Sequence, residues 1–321
     1  MGYAFYCKAA ALAIAAAMLL CGCRERSSDS SSSAPAGGEL SSETASASSP
    51  PPAEASPAAE ESAPLSPEGG EGAPNAYIAG VAAEVTARIT TPGMTEFERA
   101  KAAFDYIVET TTLADPVGLE LWRVRGGEGD SLPTFAENRS LSVLLYNIGM
   151  CEDYAAALTV LLRAMGLEAE YLPGLTWSTE GFLVDHSWTV AKIDGVWYHL
   201  DTQLEDNVSR HGAINYRYFM RGDSTLSASH RWGQNLIDSG LLTEGQNGEI
   251  KAGFIPPACP RDYETPARRR LASAHPPDTA AIRAAVEAEI REYEEKNGPL
   301  APMELNTIPP LFGLAGYGPE D

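Results

Sequence analysis

Positive charge is scarce in this chain. Its 321 residues hold 23 Lys and Arg against 44 Asp and Glu, a net charge of −21. Nucleic acid is bound through clustered cations that neutralise phosphate, so no nucleic-acid partner is expected. The acidity is read as a solubility feature. Metal-binding spacings are also missing. There is no His-Glu-x-x-His and no Cys-x-x-Cys, so no metal and no cofactor is expected. The apolar run Ala9 to Leu20 falls short of the roughly 18 residues that span a bilayer. Cysteine is sparse, at five residues, which makes each one easy to assign.

What is present begins with an export signal. Lys8 followed by the apolar run Ala9 to Leu20 has the layout of a secretory signal peptide. Leu20-Cys21-Gly22-Cys23 comes next and resembles the bacterial lipobox, in which a peptidase cuts before a cysteine that carries lipid. Gly22 is the small residue needed before the cut. Cys23 is therefore the expected lipidation site and residues 1–22 the signal peptide. Signal cleavage without lipid is the plainer alternative. The expected location is the extracytoplasmic face of the cell membrane, with the lipid bilayer as partner through Cys23.

Residues 23–76 are rich in Ser, Ala, Pro, Glu and Gly, and no Lys or Arg occurs between Arg26 and Arg88. Few large apolar side chains are there to offset the entropy of ordering, so a disordered tether is expected. Cys7 and Cys21 leave with the signal. Cys151 and Cys259 remain for the folded part, as a disulfide of an exported domain or as a reactive thiol and a bystander.

The folded part is expected from about Tyr77, with one domain over 77–263 and a C-terminal helix and tail over 264–321. Thr95 and Glu98 form a capping box, and Ala100, Ala103, Phe104, Ile107 and Val108 line one helical face. Between Leu113 and Asn138 the pattern breaks up, which predicts irregular loop. Ser140 to Tyr146 predicts a helical turn. Ala155, Leu158, Leu162 and Met165 recur at helical spacing before the stop signal Gly166, which places Cys151 at a helix N-terminus. Free N–H groups and the macrodipole favour a thiolate there, although Glu152 and Asp153 oppose it. Glu168 to Pro173 predicts a strand. His186 to Ile193 and Val196 to Asp201 predict a hairpin turned by Asp194-Gly195. That turn pairs Ile193 with Val196 and Trp188 with Asp201. His186 and Asp201 are then diagonal neighbours on one face, about 7–8 Å apart at Cα. A thiol, an imidazole and a carboxylate to orient it are the parts of a nucleophilic site.

Gly149-Met150-Cys151 with Tyr154-Ala155, His186-Ser187-Trp188, and Trp197 leading to Asp201 resemble the core of the transglutaminase-like superfamily. The resemblance covers roughly 95–235 and extends to Arg217-Tyr218-Phe219 and Arg231-Trp232. It implies an α+β, papain-like fold in which a cysteine helix packs on an antiparallel sheet. It also implies a triad: Cys151 as nucleophile, His186 as base and then acid, Asp201 as orienter. Peptide or protein amides would be attacked through a thioester acyl-enzyme, released by water or another acceptor. A binding or assembly module that keeps the fold without turnover is the alternative. The Cys151 N–H is the expected oxyanion donor, with Tyr146 or Asn147 as the second.

Other residues receive bland assignments. His199 is taken as structural, and His211, His230 and His275 as scattered. Cys259 reads as a loop residue and Arg221-Gly222-Asp223 as a chance adhesion tripeptide. A helix is expected over Thr279 to Lys296.

Overall fold

A computed structural model describes residues 73–127, 130–178, 181, 183–209, 212–238, 240, 255–271 and 276–302. Cys23, the signal peptide and nearly all of the expected tether lie outside them, as do His211 and His275. Among the described residues no helix is long and apolar enough to cross a membrane.

The first helix, α1 (Ala76–Ile89), is one the sequence reading did not resolve. Asn75 caps it, its Oδ1 accepting the Ile78 N–H at 3.1 Å. Helix α2 (Glu96–Thr110) starts at the expected Thr95–Glu98 capping box and buries the expected face. A two-residue strand β1 (Thr112–Leu113) follows, then a short helix α3 (Leu121–Arg125) and helix α4 (Phe135–Tyr146).

Helix α4 and its neighbours correct the irregular loop expected over Leu113 to Asn138. The missed start signal is a second capping box, Thr134 with Glu137. Periodicity hid the helix because it is buried on several sides and keeps polar residues there. Those groups are satisfied: the Trp122 indole N–H donates to Asn138 Oδ1 at 3.0 Å, and the Val117 N–H to Ser142 Oγ at 2.8 Å.

Strand β2 (Ile148–Gly149) pairs in parallel with β1 and leads straight into helix α5 (Cys151–Ala164). Helix α5 is buried along most of its length, packed on one side by α1, α2 and α4 and on the other by the sheet. The sheet consists of β3 (Ala169–Trp177), β4 (Leu183–Ile193), β5 (Val196–Leu200) and, beyond β6 (Ala213–Ile214), the short β7 (His230–Arg231). Their order is β5-β4-β3-β7, with every neighbour antiparallel. The fold is therefore the expected α+β arrangement, a cysteine helix on an antiparallel sheet.

The hairpin has the predicted register, Ile193 opposite Val196. Asp194 (φ 52°) and Gly195 (φ 78°) are both left-handed, as a type I′ turn requires. One face of β4 meets α5: Thr189 Oγ1 donates to Ala155 O at 3.0 Å. The alternate residues Trp188 and Val190 face a second apolar cluster with Leu172, Leu226, Trp232 and Cys259.

Past the sheet run helices α6 (Thr202–Ser209), α7 (Asp223–Leu226) and α8 (Gly233–Asp238), strand β8 (Arg269–Arg270), and helix α9 (Thr279–Asn297). Helix α9 matches its expected span and docks on α3 through Arg125–Glu289 at 2.6 Å. Arg221 is buried and bonded to the Arg217 and Tyr216 carbonyls, so the Arg-Gly-Asp tripeptide is part of the packing.

Candidate active site

Cys151 is the first residue of α5, as the spacing predicted. The helix starts there because Asp153 reaches back and accepts the Met150 N–H at 2.8 Å. Gly149 makes room for that turn. A Cβ at this position would lie 2.6 Å from the Asp153 Cβ and 2.9 Å from Val143 Cγ2.

The two acids beside the thiol share one cation. Arg139, on α4, pairs with Asp153 at 2.8 Å and with Glu152 at 2.9 Å. The Asp153 side chain is fully buried. Burial pushes its carboxyl up to about 7, and Arg139 and the Met150 N–H oppose that shift. The opposing field expected from these acids is thus met by a cation one helix away.

His186 and Asp201 meet. The imidazole Nε2 lies 2.6 Å from Asp201 Oδ2, and both side chains are buried. The pairing of β4 with β5 ends at Thr189 and Leu200, one residue before the expected Trp188–Asp201 pair. Asp201 instead turns into helix α6. Its Oδ1 accepts the Leu204 N–H at 3.0 Å, and its own N–H donates to Tyr218 O at 3.0 Å. A carboxylate is an acceptor only, so the proton between the pair belongs to His186 Nε2. That leaves Nδ1 as the remaining nitrogen, and Cys151 acts on the same imidazole.

The electrostatics follow. Burial works against the imidazolium, but Asp201 and Cys151 outweigh it and raise the His186 pKa to about 10. Burial would likewise raise Asp201, but His186 and His230 hold it well below the usual carboxylate range.

His230 is the residue that sequence reasoning missed. Its Nε2 lies 3.0 Å from the same Asp201 Oδ2, and its Nδ1 2.8 Å from Ser229 Oγ. Strand β7 delivers it by pairing beside β3, and two-residue strands leave little periodicity to read. Arg139 was missed because its helix was. Trp188 stacks on His186 with centroids 5.9 Å apart, and its indole N–H donates to His199 Nδ1 at 3.0 Å. His199 Nε2 in turn meets Asp223 Oδ1 at 2.9 Å. His199 is buried and bonded on both nitrogens, in keeping with its structural assignment.

Among the described residues two clusters are compact enough to hold a metal ion: His186, Asp201 and His230, and His199, Asp223 and Cys259. Hydrogen bonding already engages their nitrogens. An indole N–H only donates, so His199 Nδ1 accepts and its proton sits on Nε2, facing Asp223. The imidazoles at Asp201 likewise present N–H to a carboxylate. In these tautomers the converging nitrogens have no lone pair to offer a cation.

The cysteines follow the leading expectation. Cys151 and Cys259 are both free thiols, which overturns the disulfide alternative. Cys259 is fully buried, and burial raises its pKa far from reactivity. The two residues named as a second oxyanion donor, Tyr146 and Asn147, each bond to another residue. The Tyr146 hydroxyl takes a bond from Arg125, and the Asn147 N–H closes α4 on Val143 O at 2.9 Å.

Residues 83–202 match the model of the transglutaminase-like superfamily. This segment is similar to a transglutaminase-like core. It holds Cys151 and His186 and ends one residue past Asp201, whereas His230 lies outside it. Solved structures resemble the chain loosely. A candidate cysteine protease from Cytophaga hutchinsonii is 17% identical, with 40% of this chain and 39% of that one covered and a TM-score of 0.30. A protein described as a TGase is 18% identical, with 39% and 30% covered and a TM-score of 0.25. An arylamine N-acetyltransferase from Bacillus cereus is 14% identical, with 39% and 48% covered and a TM-score of 0.27. The match spans less than half of each, and likenesses this loose carry no argument about activity. No curated protein matches the chain.

Proposed function

We propose that the transglutaminase-like core is a cysteine enzyme that attacks peptide or protein amides, held at the extracytoplasmic membrane face by lipid on Cys23. The observation that carries the reading is the His186 imidazole, bonded to Asp201 through Nε2 at 2.6 Å while Cys151 acts on the same ring. The Cys151 proton is held on His186 Nδ1, in keeping with the raised imidazole pKa, and the sulfur attacks the carbonyl carbon. The tetrahedral oxyanion is met by the Cys151 N–H, one of the first-turn donors with no partner inside the helix. The C–N bond then breaks as His186 returns the proton to the departing nitrogen, leaving a thioester. Water or an amine attacks the thioester, His186 takes its proton, and the sulfur leaves. Asp201 keeps the imidazole in the required tautomer throughout.

The experiment is labelling of the full chain with a thiol-directed acyl probe, followed by mass spectrometry of the modified peptide. Adduct on Cys151, lost in Cys151→Ala and in His186→Ala, supports the enzyme. Equal labelling of the wild type and His186→Ala points to the silent binding module. Anchoring is tested separately, by fatty-acid incorporation that a Cys23→Ser variant loses.

A further inference from the structure

The buried Asp201 carboxylate serves two imidazoles, and only one of them reaches the thiol. His186 and His230 both bring Nε2 to Oδ2, at 2.6 and 3.0 Å. Leu204 N–H occupies Oδ1. All three donors are needed to satisfy a carboxylate that is 1% exposed. A buried acceptor that loses its partner pays the full desolvation cost or turns to find another.

We propose that His230 is a positioning residue for the thiol–imidazole pair. Its neutral Nε2–H fixes the plane of the Asp201 carboxylate, so that Oδ2 holds the His186 tautomer whose Nδ1 faces Cys151. The inference rests on the reading of Cys151 as nucleophile and deepens it by a fourth residue, one contributed from beyond the matched segment. His230 is a donor and does not carry the reaction's proton. The groups that face it are Asp201, His186, Trp188, Tyr218, Ser229 and, electrostatically, His199. Burial together with the two histidines disfavours its cation, while Asp201 opposes them with less effect. Ser229 Oγ stands 2.8 Å from Nδ1 and can donate to it, which completes the neutral Nε2–H form.

The test measures the pH dependence of Cys151 alkylation by iodoacetamide in the full chain, with folding checked by circular dichroism. A misplaced carboxylate should cost about 10-fold in rate near pH 6. His230→Phe is expected to show that loss, with its profile moved toward that of His186→Ala. His230→Gln, whose amide N–H reaches the same place but cannot be protonated, should restore most of the rate. A folded His230→Phe with the wild-type profile, beside a slowed His186→Ala, would overturn this inference and leave the proposed function standing. A Gln variant as slow as the Phe variant overturns the donor role. Wild-type alkylation in His186→Ala overturns the proposed function, and this inference with it. Imidazole nitrogen NMR of the unmutated protein gives a second readout if the Phe variant does not fold. The inference expects His230 neutral and protonated at Nε2 at pH 7; a charged or Nδ1-protonated His230 would sink it.

Discussion

Arg139 and Asp153 are joined at 2.8 Å beneath the first turn of the cysteine helix. The pair ties α4 to α5, caps the helix through Met150, and sets a cation against the Asp153 charge. Removing the cation strands a buried carboxylate. Arg139→Met should therefore lower stability by about 3–5 kcal/mol. The deficit should depend on pH with a definite sign. Asp153 is already raised to about 7 by burial, with Arg139 pulling it down. Without Arg139 its protonated form is favoured further, and the variant suffers most where the carboxylate is ionised. Urea titrations at pH 5 and pH 8 should show the larger deficit at pH 8.

The Gly149 position leaves no space for a methyl group. Gly149→Ala must displace Asp153, whose carboxylate caps the helix that carries Cys151. The expected cost is about 1–3 kcal/mol, the range for overpacking a filled site. Cys151 alkylation should slow in the same variant even where it is fully folded.

The His186–Asp201 pair predicts a window of stability. His186 is raised from 6.5 to about 10, so its contribution is complete below about pH 6.5 and lost as pH rises through about 10. Asp201 is depressed, so its contribution is complete above about pH 4 and lost as pH falls below that. The wild type should exceed His186→Gln by most between about pH 4 and pH 6.5. Thermal melts across pH 4–10 check this, and a constant difference would contradict it.

Trp188 links the two histidine clusters. It stacks on His186 and donates its indole N–H to His199 at 3.0 Å. Trp188→Phe keeps an aromatic ring but leaves His199 Nδ1 without its donor in a buried place. The loss expected is about 1–3 kcal/mol, and His199→Phe in the same background should add less than it costs alone. A double-mutant cycle by denaturation measures that coupling.

The sequence alone determined much of this. The Thr95 cap, the helical spacing after Cys151 and the Asp194-Gly195 turn are local signals, each written within one turn or one hairpin. A two-residue turn admits one register, so His186 and Asp201 fall within reach of each other before any long-range contact forms. The same logic reached only as far as neighbours in one element. Helix α4 escaped because burial on several sides erases the apolar stripe that marks a helix. Arg139 and His230 escaped because the carboxylate that each one meets is remote in sequence. One approaches Asp153 across a helix pair, the other approaches Asp201 from a strand 29 residues later in the chain. Which direction Glu152 and Asp153 point, which hydrogens sit on three histidines, and how many donors one carboxylate serves were decided by tertiary packing. Such facts depend on distances between elements, which composition and periodicity do not contain.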